Sequence, residues 1–202
     1  MALWAIIPIK PLWKGKSRLA SILTQEERYS INYSLFRNTL KCIENTSGIS
    51  GCIVVSSDQS VLSIAREYGA QTVQEPRLST INQALRRATI AARAFNASQV
   101  MILPADLPKL NSLAISSMIA CIKDPPEIII APDHKNEGTN ALILNPIDVI
   151  EYNYGPWSFS NHIQQAQQKK VRVEIFYDEN FRYDLDLPED WNLLKSQLTI
   201  KN

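Results

Sequence analysis

Apolar residues along the chain follow two alternating rhythms. Unbroken apolar runs at Leu3 to Ile9, Cys52 to Val55, Gln99 to Leu103 and Glu127 to Ala131 read as strands buried on both faces. Between them, helical signals recur. Thr24-Gln25-Glu26-Glu27 is a capping box opening a long helix through about Ile43. Ser57 or Asp58 caps a helix that reaches Tyr68 and ends at Gly69, before a short strand at Gln71 to Gln74. Helices are expected from Ile81 to Phe95 and from Ser112 to Ile122. Asn140 to Leu144 is again extended and leads to a loop from Tyr152 to Trp157. A helix from Ser158 to Lys169, a strand from Val171 to Phe176 and a closing helix from Pro188 complete the pattern. Alternating βα units of this length predict an α/β fold: a mostly parallel sheet sandwiched by helices. The stretch between Ile130 and Val171 breaks the alternation, and a hairpin-like insertion there is the expected place for an acceptor site.

Composition narrows the class. The 202 residues are 45% hydrophobic and 20% charged, with net charge +1, which fits one soluble domain spanning 1–202. Near-neutral charge offers nothing to nucleic acid or to a membrane surface, and no run approaches the length of a membrane span. The N-terminal apolar stretch lacks a preceding charged region and a cleavage site, so it reads as a strand and the protein as cytoplasmic. Three cysteines in apolar company and only two histidines argue for reduced, buried thiols and against zinc.

Five constellations could carry chemistry. Pro104-Ala105-Asp106-Leu107-Pro108 and Asp184-Leu185-Asp186-Leu187-Pro188 place carboxylates beside apolar strands, where ligands of open α/β sheets bind. Together, Asp106, Asp184 and Asp186 could hold one hard divalent cation, with capping of the last helix the competing role for Asp186. Lys10 to Arg18 gathers cations and Gly15 in the first βα loop, the place of a phosphate loop, although the spacing is not that of a Walker motif. The loop Asp133 to Ala141, with Gly138 and Thr139, suits close approach to an anion or an ordinary hairpin turn. Gly155 and the N–H groups around Ser158 could bind an anion at a helix N-terminus, or Ser158 could simply be the N-cap; Trp157 and Phe159 read as wall or core. Ser56-Ser57-Asp58 and Asn82 could read a purine edge or a ribose, or cap helices.

Taken together and in this order, these segments resemble the guanylyltransferases of deazaflavin coenzyme F-420 biosynthesis. The resemblance runs essentially end to end, through Ile7-Pro8-Ile9-Lys10, Lys16-Ser17-Arg18-Leu19, the two aspartate segments, Gly138-Thr139-Asn140-Ala141-Leu142, and Gly155 with Ser158-Phe159. It implies a Rossmann-like nucleotidyltransferase fold of the GT-A type, and transfer of GMP from GTP to phosphoenolpyruvate or 2-phospho-L-lactate. It further implies metal ligation of Mg2+ or Mn2+ by Asp106, Asp184 and Asp186, and acceptor contacts from Thr139, Gly155 and Ser158. Lys10 and Lys16 would lie near the triphosphate, with Arg18, Ser56 and Asn82 also on the nucleotide, and a homodimer is compatible. Pro156-Trp157 departs from the family pattern beside the acceptor site, and Leu185 between the aspartates is a conservative departure. The chain reads as closer to the bacterial, phosphoenolpyruvate-type branch. The rivals are a molybdopterin or sugar-phosphate nucleotidyltransferase, whose glycine-rich first loop is missing here, and a non-catalytic nucleotide-binding protein.

Overall fold

The computed structural model describes residues 2–192. Its strands are β1 (Leu3–Pro8), β2 (Ile49–Ser56), β3 (Gln71–Gln74), β4 (Gln99–Ile102), β5 (Glu127–Pro132), β6 (Thr139–Asn145) and β7 (Arg172–Ile175). Its helices are α1 (Gln25–Glu44), α2 (Gln59–Glu67), α3 (Ile81–Ala94), α4 (Ser112–Ile119), α5 (Ser158–Gln168) and the single turn α6 (Glu179–Arg182). The sheet order is β3-β2-β1-β4-β6-β5-β7, and β6 alone runs against the other strands. The chain walks outward from β1 through β2 to β3, then crosses back to lay β4 on the other side of β1. That reversal between β1 and β4 is a topological switch point, where the loops leaving two parallel strands diverge and open a crevice.

The continuous apolar runs are explained by burial on both faces. Leu3, Ala5 and Ile7 of β1 pack with Phe36 and Leu40 of α1, Leu62 of α2 and Ile115 of α4. Trp4 and Ile6 point the other way, towards Leu85 and Ala88 of α3 and Phe159 and Ala166 of α5. The alternation costs nothing in hydrophobicity because both faces are covered, so the run shows no polar beat. The local signals act as expected at two helix starts: Thr24 and Glu27 close a reciprocal capping box on α1, and Asp58 rather than Ser57 caps α2. A second capping box, Thr80 with Gln83, opens α3.

Several expectations are corrected. Helix α4 stops at Ile119, three residues early, and α6 has no counterpart in the sequence pattern because four residues carry too little periodicity to read. A helical turn opens at Pro188, but the rest of the closing helix lies outside the described residues. Of the three free cysteines only Cys42 is fully buried; Cys52 and Cys121 are partly exposed. Among the described residues, no helix is long and apolar enough to cross a membrane.

Candidate active site

The two aspartate segments meet. Asp106 sits in the turn after β4, pinned by the buried side chains of Leu103, Leu107 and Leu110. Leu185 is buried too, and its N–H donates to the Asp106 carbonyl at 3.1 Å, tying the segment after α6 to the turn after β4. With Leu185 turned into the core, Asp184 and Asp186 are left beside Asp106, and one carboxylate oxygen from each of the three lies within 4.8 Å of the others. This is why the Asp-Leu-Asp spacing works: the apolar residue is the anchor and the carboxylates are the load. Asp186 does not cap the last helical turn. The Asp190 carboxylate, inside that turn, reaches back instead and accepts from the N–H groups of Asp186 and Leu187 at 3.1 and 2.7 Å.

Lys16 reaches into this cluster. Its Nζ lies 3.2 Å from Asp186 Oδ1 and 3.6 Å from Asp106 Oδ2, with a side chain only 4% exposed. The backbone at Lys16 is left-handed, φ 58°, an uncommon conformation for a side chain of this size. It is held there by a rigid loop: Leu12 and Leu19 are buried, and the Asn32 amide donates to the Leu12 carbonyl at 2.7 Å. A Cβ at Gly15 would come within 2.5 Å of the Asn32 amide, so a larger residue there would displace the side chain that holds Leu12.

One lysine does not neutralise three carboxylates. The second oxygen of Asp106 is buried with no hydrogen-bond partner. Asp184 is pushed up to about 6, first by burial and then by the charges of Asp106 and Asp186. An orphaned carboxylate oxygen and a carboxyl driven towards its protonated form mark a place short of positive charge. Oxygen-only donors at this spacing fit a hard divalent cation such as Mg2+ or Mn2+.

The carboxylates border a cleft of about 450 Å³ over the switch point. Lys10, Lys14, Lys16 and Arg18 line one side, and Pro8, Ile9, Ile81 and Ala84 form apolar walls, with Glu75 and Ser79 at the β3 end. The size suits a nucleotide-scale ligand, and the row of cations along one side can pair with phosphate oxygens.

The insertion places Thr139, Gly155 and Ser158 in a neighbouring cluster that does not line this cleft. Because β6 is antiparallel and Leu142 pairs with Ile102, the start of β6 at Thr139 lies at the same sheet edge as Asp106. His162, fully buried in α5, organises the cluster. Its Nε2 accepts from the Asn153 N–H at 3.0 Å, and its Nδ1 lies 3.1 Å from the Thr139 hydroxyl. Burial lowers His162 to about 4, so near neutral pH the ring is uncharged. An accepting Nε2 puts the ring hydrogen on Nδ1, which then donates to Thr139 Oγ1 and leaves that hydroxyl hydrogen free to serve an anion.

Two expectations for this region change, and of the two readings of Gly138 the hairpin turn is the one observed. The N–H groups of Ser158 and Phe159 are already bonded to the carbonyls of Gly155 and Glu137, so the start of α5 is not a free anion cradle. Trp157, at φ 60° and 61% exposed, occupies the N-cap position without a side-chain cap, so Ser158 is not the cap and Trp157 is neither wall nor core. Gly138 serves a hairpin turn, where a Cβ would come within 2.9 Å of the Asp133 carboxylate. Ser56 and Asn82 also have structural work. The buried Ser56 hydroxyl accepts from the Asp58 N–H at 3.2 Å, and the Asn82 amide clamps the Tyr154 backbone through bonds of 3.0 and 2.8 Å. Neither lines the cleft, so nucleotide contact from these two residues is not supported.

Sequence reasoning missed Glu75, Ser79 and Asn32 in the cleft, and the role of His162. A glutamate just after a short exposed-looking strand carries no motif; only the sheet order, with β3 beside β2, brings it to the cleft.

A family model described as guanylyl transferase CofC like matches residues 3–197. The chain belongs to this guanylyltransferase family. It is 33% identical over 190 residues to the phosphoenolpyruvate guanylyltransferase of Rubrobacter xylanophilus, covering 94% of this chain and 92% of that protein. It is 30% identical over 186 residues to the 2-phospho-L-lactate guanylyltransferase of Methanocaldococcus jannaschii, covering 92% and 79%. The fold is shared with a solved nucleotide-diphospho-sugar transferase from Desulfovibrio desulfuricans, at a TM-score of 0.77 and 13% identity over 96% of this chain and 87% of that one. It is also shared with glucosyl-3-phosphoglycerate synthase from Mycobacterium tuberculosis, solved with Mn2+ and UDP, at a TM-score of 0.64 and 11% identity over 98% and 77%. Members of the guanylyltransferase family are nucleotidyltransferases.

Proposed function

We propose that this protein transfers GMP from GTP to a small phosphorylated acid, phosphoenolpyruvate or 2-phospho-L-lactate, with release of pyrophosphate, as a step in making coenzyme F-420. The observation that carries the reading is the convergence of Asp106, Asp184 and Asp186 with Lys16 at the mouth of a cation-lined cleft. An acceptor phosphate oxygen forms a bond to the α-phosphorus of GTP while the bond to the bridging β-phosphate oxygen breaks. A phosphate monoester has a second pKa of roughly 6 and is already ionised at neutral pH, so no general base is needed. The neutral, buried His162 is consistent with that: it positions Thr139 and takes no proton from the acceptor.

The chain's own groups then supply position and charge. Asp106, Asp184 and Asp186 would hold Mg2+ or Mn2+, and a cation there supplies charge to the phosphates in the transition state. Lys10, Lys16 and Arg18 serve the triphosphate, being cations of the first βα loop that line the cleft. Thr139, Gly155 and Ser158 form the acceptor side, supported by their place at the same sheet edge as Asp106. There the free Thr139 hydroxyl hydrogen takes the part first expected of the backbone N–H groups of α5.

Pyrophosphate release from GTP, with products identified by mass spectrometry across phosphoenolpyruvate, both 2-phospholactate enantiomers and 3-phosphoglycerate, tests this reading. A guanylyl adduct with a sugar phosphate or a pterin instead would refute it. Lys16→Ala is expected to raise the KM for GTP or lower turnover by roughly 10²-fold, the usual cost of removing one charge-stabilising donor. An effect confined to the acceptor would show that the loop serves the other substrate. Gly155 has φ 141°, and a Cβ there meets no atom within 4 Å, so a side chain would enter open space on a strained backbone. Gly155→Val is expected to raise the acceptor KM by roughly tenfold or more while GTP affinity stays near wild type, with about 1–3 kcal/mol of strain. Equal losses for both substrates would remove Gly155 from the acceptor side.

A further inference from the structure

Glu75 is the acidic residue in the cleft that phosphate and metal chemistry leaves unexplained. It follows β3 directly, its N–H donates to the Ser56 carbonyl at 3.0 Å, and its side chain lines the cleft. One of its carboxylate oxygens is buried and has no hydrogen-bond partner. Burial raises its pKa, opposed by the Ser79 hydroxyl and by the charge of Arg87, so the carboxylate has lost water without gaining a full set of donors. Arg87 reaches Ser79 instead, at 2.8 Å, and holds that hydroxyl beside Glu75.

Position indicates what the missing donors belong to. Asp106 leaves β4 and Glu75 leaves β3, with β1 and β2 between them. Three strand spacings separate the two by ~14 Å along the sheet edge. A nucleotide whose α-phosphate lies by Asp106 therefore directs its base towards Glu75. The walls on that side, Ile81 and Ala84, are apolar and suit the faces of a flat ring, leaving the edge to be read by polar groups.

We infer that Glu75 is the residue that selects guanine, its two carboxylate oxygens accepting from the N1–H and the 2-amino group of the base. The inference rests on the proposed use of GTP. Of the purines in common nucleotides, only guanine offers two adjacent donors on one edge, and an acceptor-only carboxylate matches that pair. Adenine presents a bare nitrogen at N1 and would leave both oxygens unpaired, a strong basis for rejection. Hypoxanthine, which keeps N1–H and lacks the 2-amino group, would satisfy only one.

The test compares GTP, ITP and ATP as nucleotide substrates of the wild-type protein and of Glu75→Gln and Glu75→Ala, with acceptor and Mg2+ saturating. The wild type should favour GTP over ITP by roughly tenfold or more, the cost of one unpaired group in a hydrogen-bonding site. In Glu75→Gln, whose amide offers one acceptor and one opposing donor, the GTP KM should rise by roughly 10²-fold and the preference over ITP should disappear. The KM of the acceptor and the melting temperature should stay near wild type. Unchanged GTP-to-ITP ratios in both variants, or equal losses with all three nucleotides, would overturn the assignment while leaving the guanylyltransferase reading intact. A wild-type protein that binds and uses no GTP would instead overturn that reading, and the assignment of Glu75 with it.

Discussion

Asp106→Asn is expected to lower kcat/KM by roughly 10³-fold without unfolding the protein, the scale associated with losing a charge-stabilising group in the transition state. The side chain makes one ion pair, with Lys16 at 3.6 Å, and has one unpartnered buried oxygen, so little of the fold depends on its charge. What does depend on Asp106 is its carbonyl, which holds Leu185, and asparagine keeps that bond. Removing one of three oxygen anions should weaken divalent-cation binding and leave the developing negative charge on the phosphates poorly balanced. Wild-type protein treated with a strong chelator should show the same loss, reversible by Mg2+ or Mn2+. Pyrophosphate release and a thermal melt on the same samples check both halves. Full activity in chelator would end the metal hypothesis, and collapse of the melt would assign Asp106 to structure.

The elements are legible where local chemistry and tertiary context agree. β1 and β4 announce themselves because both faces of a central parallel strand are buried, and Thr24-x-x-Glu27 satisfies the backbone of α1 with no outside help. The three aspartates are legible for a related reason: each lies beside a buried leucine, so the spacing itself records which side chains must face out. Lys16 falls in the expected loop, but its left-handed backbone and its pairing with Asp106 and Asp186 depend on Asn32, sixteen residues further on and in another element. The insertion is the least readable part. Thr139 and Ser158 stand out in the sequence, yet His162, which faces the Thr139 hydroxyl, and the Glu137 carbonyl, which accepts from the Phe159 N–H beside Ser158, come from contacts that no short motif encodes. Asn82 misleads for the same reason: an amide suited to reading a base is equally suited to holding the Tyr154 backbone. Glu75 is invisible until the strand order β3-β2-β1-β4 is known, since it stands 31 residues before Asp106 in a segment with no periodicity of its own.

Asp184→Asn should separate stability from activity in opposite directions. Burial, then Asp106 and then Asp186, raise this carboxyl to about 6 from a usual value near 3.8. A group whose folded pKa is raised favours the folded state fully below its unfolded pKa and loses that contribution as pH rises through the folded one. In the metal-free protein the charged Asp184 is therefore a liability above about pH 6, and the uncharged amide removes it. That rise in pKa, discounted because the side chain is partly solvated, corresponds to about 1–2 kcal/mol at pH 7.5. For a chain of this size that is roughly a 2–6 °C higher melting temperature for the metal-free variant, shrinking towards zero as pH falls from 6 to 4. Divalent cation should close the gap from the other side, raising the melting temperature of the wild type and moving the variant much less. Turnover should fall by roughly 10²-fold or more, because the charge that destabilises the empty cluster is the charge that holds the cation. Melts at pH 5 and 7.5, each with and without Mg2+, read all of this. A variant less stable at pH 7.5, or one stabilised by Mg2+ as much as the wild type, would show that Asp184 neither suffers from its neighbours nor shares an ion with them.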